Sequence, residues 1–198
     1  ACPYTMRPAL AHKVACIGPS QARTINNWGN EGKTEIVGIP RLENLTLQYK
    51  QSEPNASRSI NTDGPFRVLV MTAKTPAFTE QQLATVKQSL QDLSKWQTDH
   101  RNLNGRPVEF TWRLTRGIDL ELGVPNQLSD FAGADLQDVL AEVDAVICTP
   151  STAVLEAMLM GLPVAQLDYH NCPHYVQPGW DIAAAAHIDD VIHGLAKP

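Results

Sequence analysis

The sequence predicts an α/β fold, a Rossmann-like three-layer sandwich with a mostly parallel sheet formed chiefly by residues 66–198. Short apolar segments alternate with helical patterns along the chain, as they do in βα units around a parallel sheet. The apolar segments are almost uninterrupted, which is typical of strands covered on both faces. The repeated order of strand, helix and strand also implies right-handed crossovers.

The composition of the 198 residues argues against several classes of protein. A hydrophobic share of 43% and a charged share of 19% fit a folded domain rather than a disordered chain. The net charge of -5 argues against a general binder of nucleic acids or membrane surfaces, so an anionic ligand would need a local site. No apolar run approaches the roughly 18–20 residues of a membrane span, and no integral membrane segment is expected.

The cysteines predict a reducing compartment. Four of them are scattered along the chain without a CxxC pair. Cys16 and Cys148 lie within apolar, strand-like segments, where a free thiol usually behaves as a small buried hydrophobe. A secreted disulfide framework is therefore not expected, and the predicted location is cytoplasmic.

The first part of the chain predicts a βαβ unit followed by a linker. Residues 12–17 are predicted as a strand, Gly18-Pro19-Ser20 as a turn into a helix through Trp28, and residues 34–39 as a second strand. Residues from about 45 to 65 are polar and rich in turn-forming types, which is typical of a linker or a long loop.

A longer series of strands and helices begins at Phe66. Thr79 and Gln82 form a capping-box pattern before a helix with one apolar face, and Gly161 predicts the end of a later helix. In chain order the predicted elements are strand 66–73, the capped helix, strand 108–114, a short strand 122–128, helix 135–143, strand 145–149, helix 151–160, strand 163–168 and helix 188–195.

The segment around residue 150 carries the strongest signal for a ligand site. A buried strand ends at Pro150 and a helix opens at Ser151-Thr152. Open parallel sheets bind ligands beyond the carboxyl ends of their strands, and a helix N-terminus there offers unpaired N–H groups to a phosphate or diphosphate. The alternative is that Ser151 or Thr152 only caps the helix.

Glu156 lies within the same, otherwise apolar helix. A carboxylate among such neighbours is costly unless it is paired. One interpretation is that it accepts hydrogen bonds from the two hydroxyls of a ribose. The other is that it is a solvated residue on the outer face of the helix.

A second polar cluster follows the strand predicted over residues 163–168. His170 and Asn171 are candidates to contact a sugar or a phosphate, and the alternative is an ordered loop with partly buried histidines. His170, Cys172 and His174 are also capable of binding a metal ion. No second cluster with zinc-like spacing accompanies them, so no metal site is predicted.

Two groups of motifs resemble one family. Residues 156–164, EAMLMGLPV, resemble the EAMxxGxPV signature in the nucleotide-sugar-binding domain of GT-B glycosyltransferases, and residues 149–152 are similar to the phosphate turn of lipid-A-disaccharide-synthase-like enzymes. Residues 12–20, Trp28-Gly29 and residues 37–41 resemble the last βαβ unit of the N-terminal domain of these enzymes.

The resemblance implies a domain division and a set of donor-binding residues. Residues 1–45 would be the end of an acceptor-side domain, 46–65 the linker and 66–198 the nucleotide-sugar-binding domain. The implied nucleotide-sugar-binding residues are Ser151 and Thr152 at the diphosphate, Glu156 at the ribose, Lys74 and more weakly Arg113 and Arg116 at the diphosphate, and His170 and Asn171 at the sugar. The base would lie near residues 123–127.

Other interpretations stay open for the basic residues. Lys74 fits equally well as a solvated loop lysine. Arg113 or Arg116 could form a surface ion pair with Glu109 or Asp119, a contact of little energetic value.

The implied function is transfer of a hexose from a nucleoside diphosphate sugar, with a UDP-sugar as the expected donor, to an unknown glycan, lipid or small molecule. No metal or other cofactor is implied, and no catalytic residue is assigned. Cys148 stands where retaining members of the family carry a second glutamate, and an inverting enzyme would need a general base, for which His12 is the nearest candidate. The alternatives are a nucleotide-sugar 2-epimerase of the same fold and a non-catalytic nucleotide-binding module.

Overall fold

A small parallel sheet forms near the N-terminus of the computed structural model. Strand β1 (Val14–Cys16) pairs with β2 (Thr34–Ile36), and helix α1 (Pro19–Ile25) with the π-helical turn Asn26–Asn30 connects them. Ala22 and Ile25 of the helix pack against the strands. The structure describes residues 7–43, 64–115, 117–124, 135–170 and 176–197.

A six-stranded sheet makes up the larger part of the molecule. Its strands lie in the order β4-β5-β3-β6-β7-β8, and every neighbouring pair is parallel except β4 with β5. The predicted α/β fold with a mostly parallel sheet is confirmed. The strands are β3 (Phe66–Met71), β4 (Asn102–Leu103), β5 (Arg106–Arg113), β6 (Ala145–Cys148), β7 (Val164–Leu167) and β8 (Trp180–Ile182).

Helices cover both faces of this sheet, which gives the three layers. One face packs against α2 and α6 through residues such as Leu90 and Ile192, and the other packs against α4 and α5 through residues such as Leu140 and Ala157. None of the helices within the described ranges is long and apolar enough to cross a bilayer. The helices are α2 (Glu80–Asp99), α3 (Ile118–Leu122), α4 (Leu136–Ala141), α5 (Ala153–Leu159) and α6 (Ile188–Leu195).

The start of α2 follows the predicted capping box with one change. Thr79 Oγ1 accepts a hydrogen bond from Gln82 N at 3.2 Å, as expected. Gln82 Oε1 accepts from the backbone N of Phe78 at 2.9 Å, one residue before the cap. Both bonds satisfy donors that an open helix end would leave unpaired.

The sequence prediction fails at three places in the described chain. The predicted short strand 122–128 is wrong at Leu122, which ends α3 because Gly123 adopts a left-handed conformation with φ of 55°; the rest of that strand falls mostly outside the described residues. The edge strands β4 and β8 were not predicted. The sequence feature that could have predicted the β4–β5 hairpin is the Asn104-Gly105 pair, which forms a turn in which both residues have positive φ.

The path of the chain through the sheet defines one preferred ligand position. From β3 the chain passes to β5 on one side and then returns to β6 on the other side of β3. The connections therefore diverge between β3 and β6. In open α/β sheets, ligands bind beyond the carboxyl ends of the strands at such a switch point.

Candidate functional site

Threonines fix the loops that follow β3, β5 and β6. Thr149 Oγ1 accepts a hydrogen bond from the backbone N of Ala73 at 2.7 Å. Thr115 donates through its hydroxyl to Ala73 O at 2.7 Å, and its backbone N donates to Thr72 Oγ1 at 2.8 Å. Sequence reasoning assigned none of these threonines a role in joining the loops. Thr72 and Thr149 lie at the ends of predicted strands and Thr115 directly follows one, which was their only signal for such a role.

Thr152, the N-cap residue of α5, is exposed and makes no capping hydrogen bond through its side chain. Ser151, one residue earlier, accepts a hydrogen bond at its Oγ from the backbone N of Ala153 at 3.2 Å. The Ser151 hydroxyl thus binds one N–H group at the start of the helix, and phosphate binding at the turn stays a prediction. The turn lies directly after β6, as the sequence predicted, and the strand order places it at the switch point.

Glu156 is one of three buried residues of α5, with Val154 and Ala157. Only 8% of it is exposed, so the interpretation as a solvated residue on the outer face is wrong. It follows Thr152 by four residues, about 6 Å along the helix axis, so the two residues occupy one side of the helix. The ribose-binding interpretation stays a prediction.

Cys148 and Gln166 lie side by side beneath the turn, in register on β6 and β7. Burial raises the pKa of the Cys148 thiol to about 12, against a smaller lowering by Ser151, whose Oγ lies 3.3 Å from Sγ. The thiol is therefore neutral and unreactive near pH 7. Gln166 is 2% exposed, and its Nε2 finds no hydrogen-bond partner among the described residues. Nothing in the sequence had singled it out.

Lys74 is exposed just beyond β3 and lines a cleft of about 440 Å³ between the start of α2 and α3. Lys87 lines the same cleft and is neutralised by Glu121, with Nζ 2.5 Å from Oε2. Within the described part of the chain, no ion pair involves Lys74. Its cationic charge thus remains available to an anion at this edge.

Arg113 is buried at the end of β5, with 8% of its surface exposed, so it does not lie on the surface as the alternative of a surface ion pair assumed. Glu109 lies near Arg67 instead, with Nε and Oε2 3.9 Å apart. Asp119 Oδ1 accepts from the backbone N of Gly117 at 2.7 Å. Arg116 lies outside the described residues.

His170 lies at the third loop of this edge. Its backbone N donates to Asp168 Oδ1 at 2.9 Å, and its buried Nε2 has no hydrogen-bond partner among the described residues. It lines a cavity of about 100 Å³ together with Pro150 and the loop after β3. Next to it, burial and the hydrogen bond to Asp92 raise the pKa of Tyr169 above its usual value. Asn171 lies outside the described residues.

The loops after β3, β6 and β7 meet at one edge of the sheet. Lys74, the Ser151-Thr152 turn and His170 lie on these three loops, whereas Arg113 lies at the end of β5, on the other side of β3 from β6. No group of three or more candidate metal ligands comes together in the described ranges. His12, the nearest candidate for a general base, is exposed beside β1.

Comparisons of the chain with models of protein families, with curated proteins and with solved structures found no match. The fold and this edge define the chain as an open, mostly parallel α/β protein, with polar residues on the loops at the switch point between β3 and β6. Hydroxyls, backbone N–H groups and an exposed lysine at such an edge suit an anionic, hydrogen-bonding ligand.

Proposed function

We propose that this chain binds a nucleoside diphosphate sugar, most simply a UDP-sugar, at the crevice between β3 and β6. In this role it is the donor-binding part of a glycosyltransferase that moves a hexose to a glycan, lipid or small-molecule acceptor without a metal ion. The observation that carries this function is the position of the Ser151-Thr152 turn, which follows β6 at the switch point. It lies next to the loop after β3, to which Thr149 is joined by the hydrogen bond from Ala73.

The diphosphate would be bound at the turn and by Lys74. Thr152 is exposed at the start of α5, and the only carboxylates lining the cleft beside Lys74, among the described residues, are Glu80 and Glu121, the second of which is paired with Lys87. A free ammonium group and backbone dipoles stabilise negative charge most where water is partly excluded. The same groups would stabilise the departing diphosphate during transfer.

Glu156 would accept hydrogen bonds from the ribose. It lies one helical turn from Thr152 on the same side of α5, a spacing that suits a ribose next to its diphosphate. Its burial also fits a carboxylate that orients a ligand rather than one that only solubilises the surface. No general base is assigned to the acceptor hydroxyl.

Calorimetric titration with UDP, GDP, ADP, CDP and dTDP tests the proposed site directly. We expect one of these to bind the parent chain, and Glu156→Gln to weaken it about 10- to 100-fold because hydrogen bonds to a charged acceptor are lost. Glu142→Gln, at an exposed carboxylate after α4, is the matched control and should change nothing. Absence of binding at millimolar concentration, or equal binding by Glu156→Gln, would contradict the proposal.

Product analysis separates the proposed transfer from its alternatives. Incubation of the bound sugar nucleotide with candidate acceptors should give a glycoside and the free nucleoside diphosphate. A changed sugar nucleotide formed without any acceptor would instead indicate a 2-epimerase. Binding with no chemical change would indicate a non-catalytic module.

A further inference from the structure

Helix α5 is apolar on its outer side as well as its inner side. Val154 and Ala157 are buried in a core cluster against which Leu155 and Leu159 also pack, and Leu155, Met158 and Leu159 line a groove. Leu155 and Leu159 are half-buried and Met158 is exposed, so the core does not fully cover this side of α5.

The N-terminal βαβ unit supplies part of that cover and leaves a groove of about 560 Å³. Its walls are formed by the segments that follow β1 and β2, through Ile17 and Ile39, and by α5. A volume of this size lies within the range of small-molecule sites, which are concave, mostly apolar and common where two units meet.

The lining of the groove carries no charge. Among its described residues there is no Asp, Glu, Lys, Arg or His, and the polar side chains are Ser20, Gln21 and Gln177. A phosphate or carboxylate inside the groove would lose its hydration without gaining a partner, which is costly. The groove thus differs from the crevice at Lys74 and does not suit the nucleotide.

An exposed apolar side chain lies on the wall of the groove. Met158 is 40% exposed there, although it is a large hydrophobic residue. Exposed apolar surface beside a concave, apolar cavity is typical of a binding site.

We propose that this groove binds a small, uncharged and mainly aliphatic molecule with a hydroxyl or ether group at one end. Ile17, Ile39, Leu155, Leu159 and Val176 would enclose the aliphatic part, and the polar end would reach Ser20 or Gln21. The site does not depend on nucleotide binding, because no residue is shared with the crevice between β3 and β6.

The test uses the full chain, Nile red as a neutral fluorescent probe, and 1-octanol or octanoate as competitors. We expect 1-octanol to displace the dye and octanoate at pH 7 to be at least tenfold weaker, because no cation lines the described groove. Met158→Glu should weaken 1-octanol at least tenfold. Leu120→Glu, at an apolar side chain that is 81% exposed on α3 outside the groove, should stay within twofold of the parent.

A second variant guards against misfolding of the first. Ser20→Asp adds a negative charge on the other wall at the start of α1, where the helix dipole favours it, and should weaken 1-octanol similarly. Equal displacement by both competitors, equal loss in Met158→Glu and Leu120→Glu, or no displacement up to the solubility of 1-octanol would overturn the proposal. Binding of the chain to phosphatidylcholine vesicles would show that the groove contacts a membrane instead of a small molecule. Titration of Met158→Glu with nucleoside diphosphates tests the nucleotide site separately.

Discussion

The carboxyl edges of the two sheets occupy equivalent positions in their βα units but carry opposite chemistry. Beyond the six-stranded sheet lie Thr72, Thr149 and Asp168, with Lys74 exposed beside them. Beyond β1 and β2 the chain continues with apolar side chains that line a neutral groove. Topology thus sets where a ligand can bind, and the one or two residues after each strand set what can bind there.

The two edges are also held in place differently. At the six-stranded sheet, hydroxyls bridge neighbouring loops, as between Thr149 and Ala73. At the small sheet, Gln21 Oε1 accepts a hydrogen bond from the backbone N of Ile17 at 2.7 Å, within one βα connection. Apolar packing of α1 against β1, through Ala22, Ile25 and Val14, also stabilises this unit. The polar edge therefore depends on long-range hydrogen bonds, and it should be the more sensitive to loss of a single polar atom.

Thr149→Val tests this dependence and should give the largest effect. Thr149 is 1% exposed, and the substitution leaves the Ala73 N–H without its acceptor. We expect the free energy of unfolding to fall by about 1–3 kcal/mol, the usual cost of an unsatisfied buried group. Urea denaturation followed by circular dichroism measures it.

Thr98→Val is the matched control, because this threonine is exposed and its hydroxyl bonds only within α2. Its effect should stay within about 0.5 kcal/mol. Equal effects of the two substitutions would show that the hydroxyl bridges do not hold the polar edge together.

Alkaline titration addresses the thiol beneath the polar edge. Burial raises the folded-state pKa of Cys148 to about 12, above its usual value of 9.0, so below pH 9 both the folded and the unfolded state keep the proton. As pH rises from 9 towards 12 the unfolded state loses the proton first, and the free energy of unfolding falls. Between pH 9 and 10 this contributes about 1 kcal/mol.

Cys148→Ala removes that contribution, so its stability should decline less steeply from pH 9 to 10 than that of the parent. Parallel denaturation series at pH 8, 9 and 10 provide the measurement. Identical slopes in the two proteins would mean that the thiol is open to water, and that the edge above it is not closed by Ser151.

Sequence patterns were most informative where one residue has one structural role. The apolar segments predicted the central strands, and Thr79 with Gln82 predicted the start of α2. The hydroxyl bridge from Thr149 to Ala73 was not predictable, because it joins residues far apart in the chain that only strand order brings together. The burial of Glu156 depends likewise on the rotation of α5 about its axis, which short apolar helices do not reveal.

Lys74→Ala tests whether a positive charge contributes to binding at the edge of the six-stranded sheet but not in the apolar groove. If Lys74 contacts the diphosphate, its removal should weaken the bound nucleoside diphosphate about fivefold at low salt, and less at high salt, since exposed charges are screened. Octanol binding in the apolar groove should not change. Lys95→Ala, at an exposed lysine on α2, is the control. An unchanged nucleotide affinity would make Lys74 a solvated loop residue.

Gln166→Met should change stability and nucleotide affinity the least of these substitutions. It tests whether the ligand-binding surface includes a residue inside strand β7. The amide lies one residue inside the end of β7, beside Cys148, and its Nε2 has no partner among the described residues. Replacing it with an apolar side chain of similar size removes an unsatisfied donor, so stability should be unchanged or raised by up to about 1 kcal/mol. Nucleotide affinity should stay within twofold, as in the exposed control Gln88→Met. A large loss of affinity in Gln166→Met alone would extend the ligand-binding surface below the loops and into the strand itself.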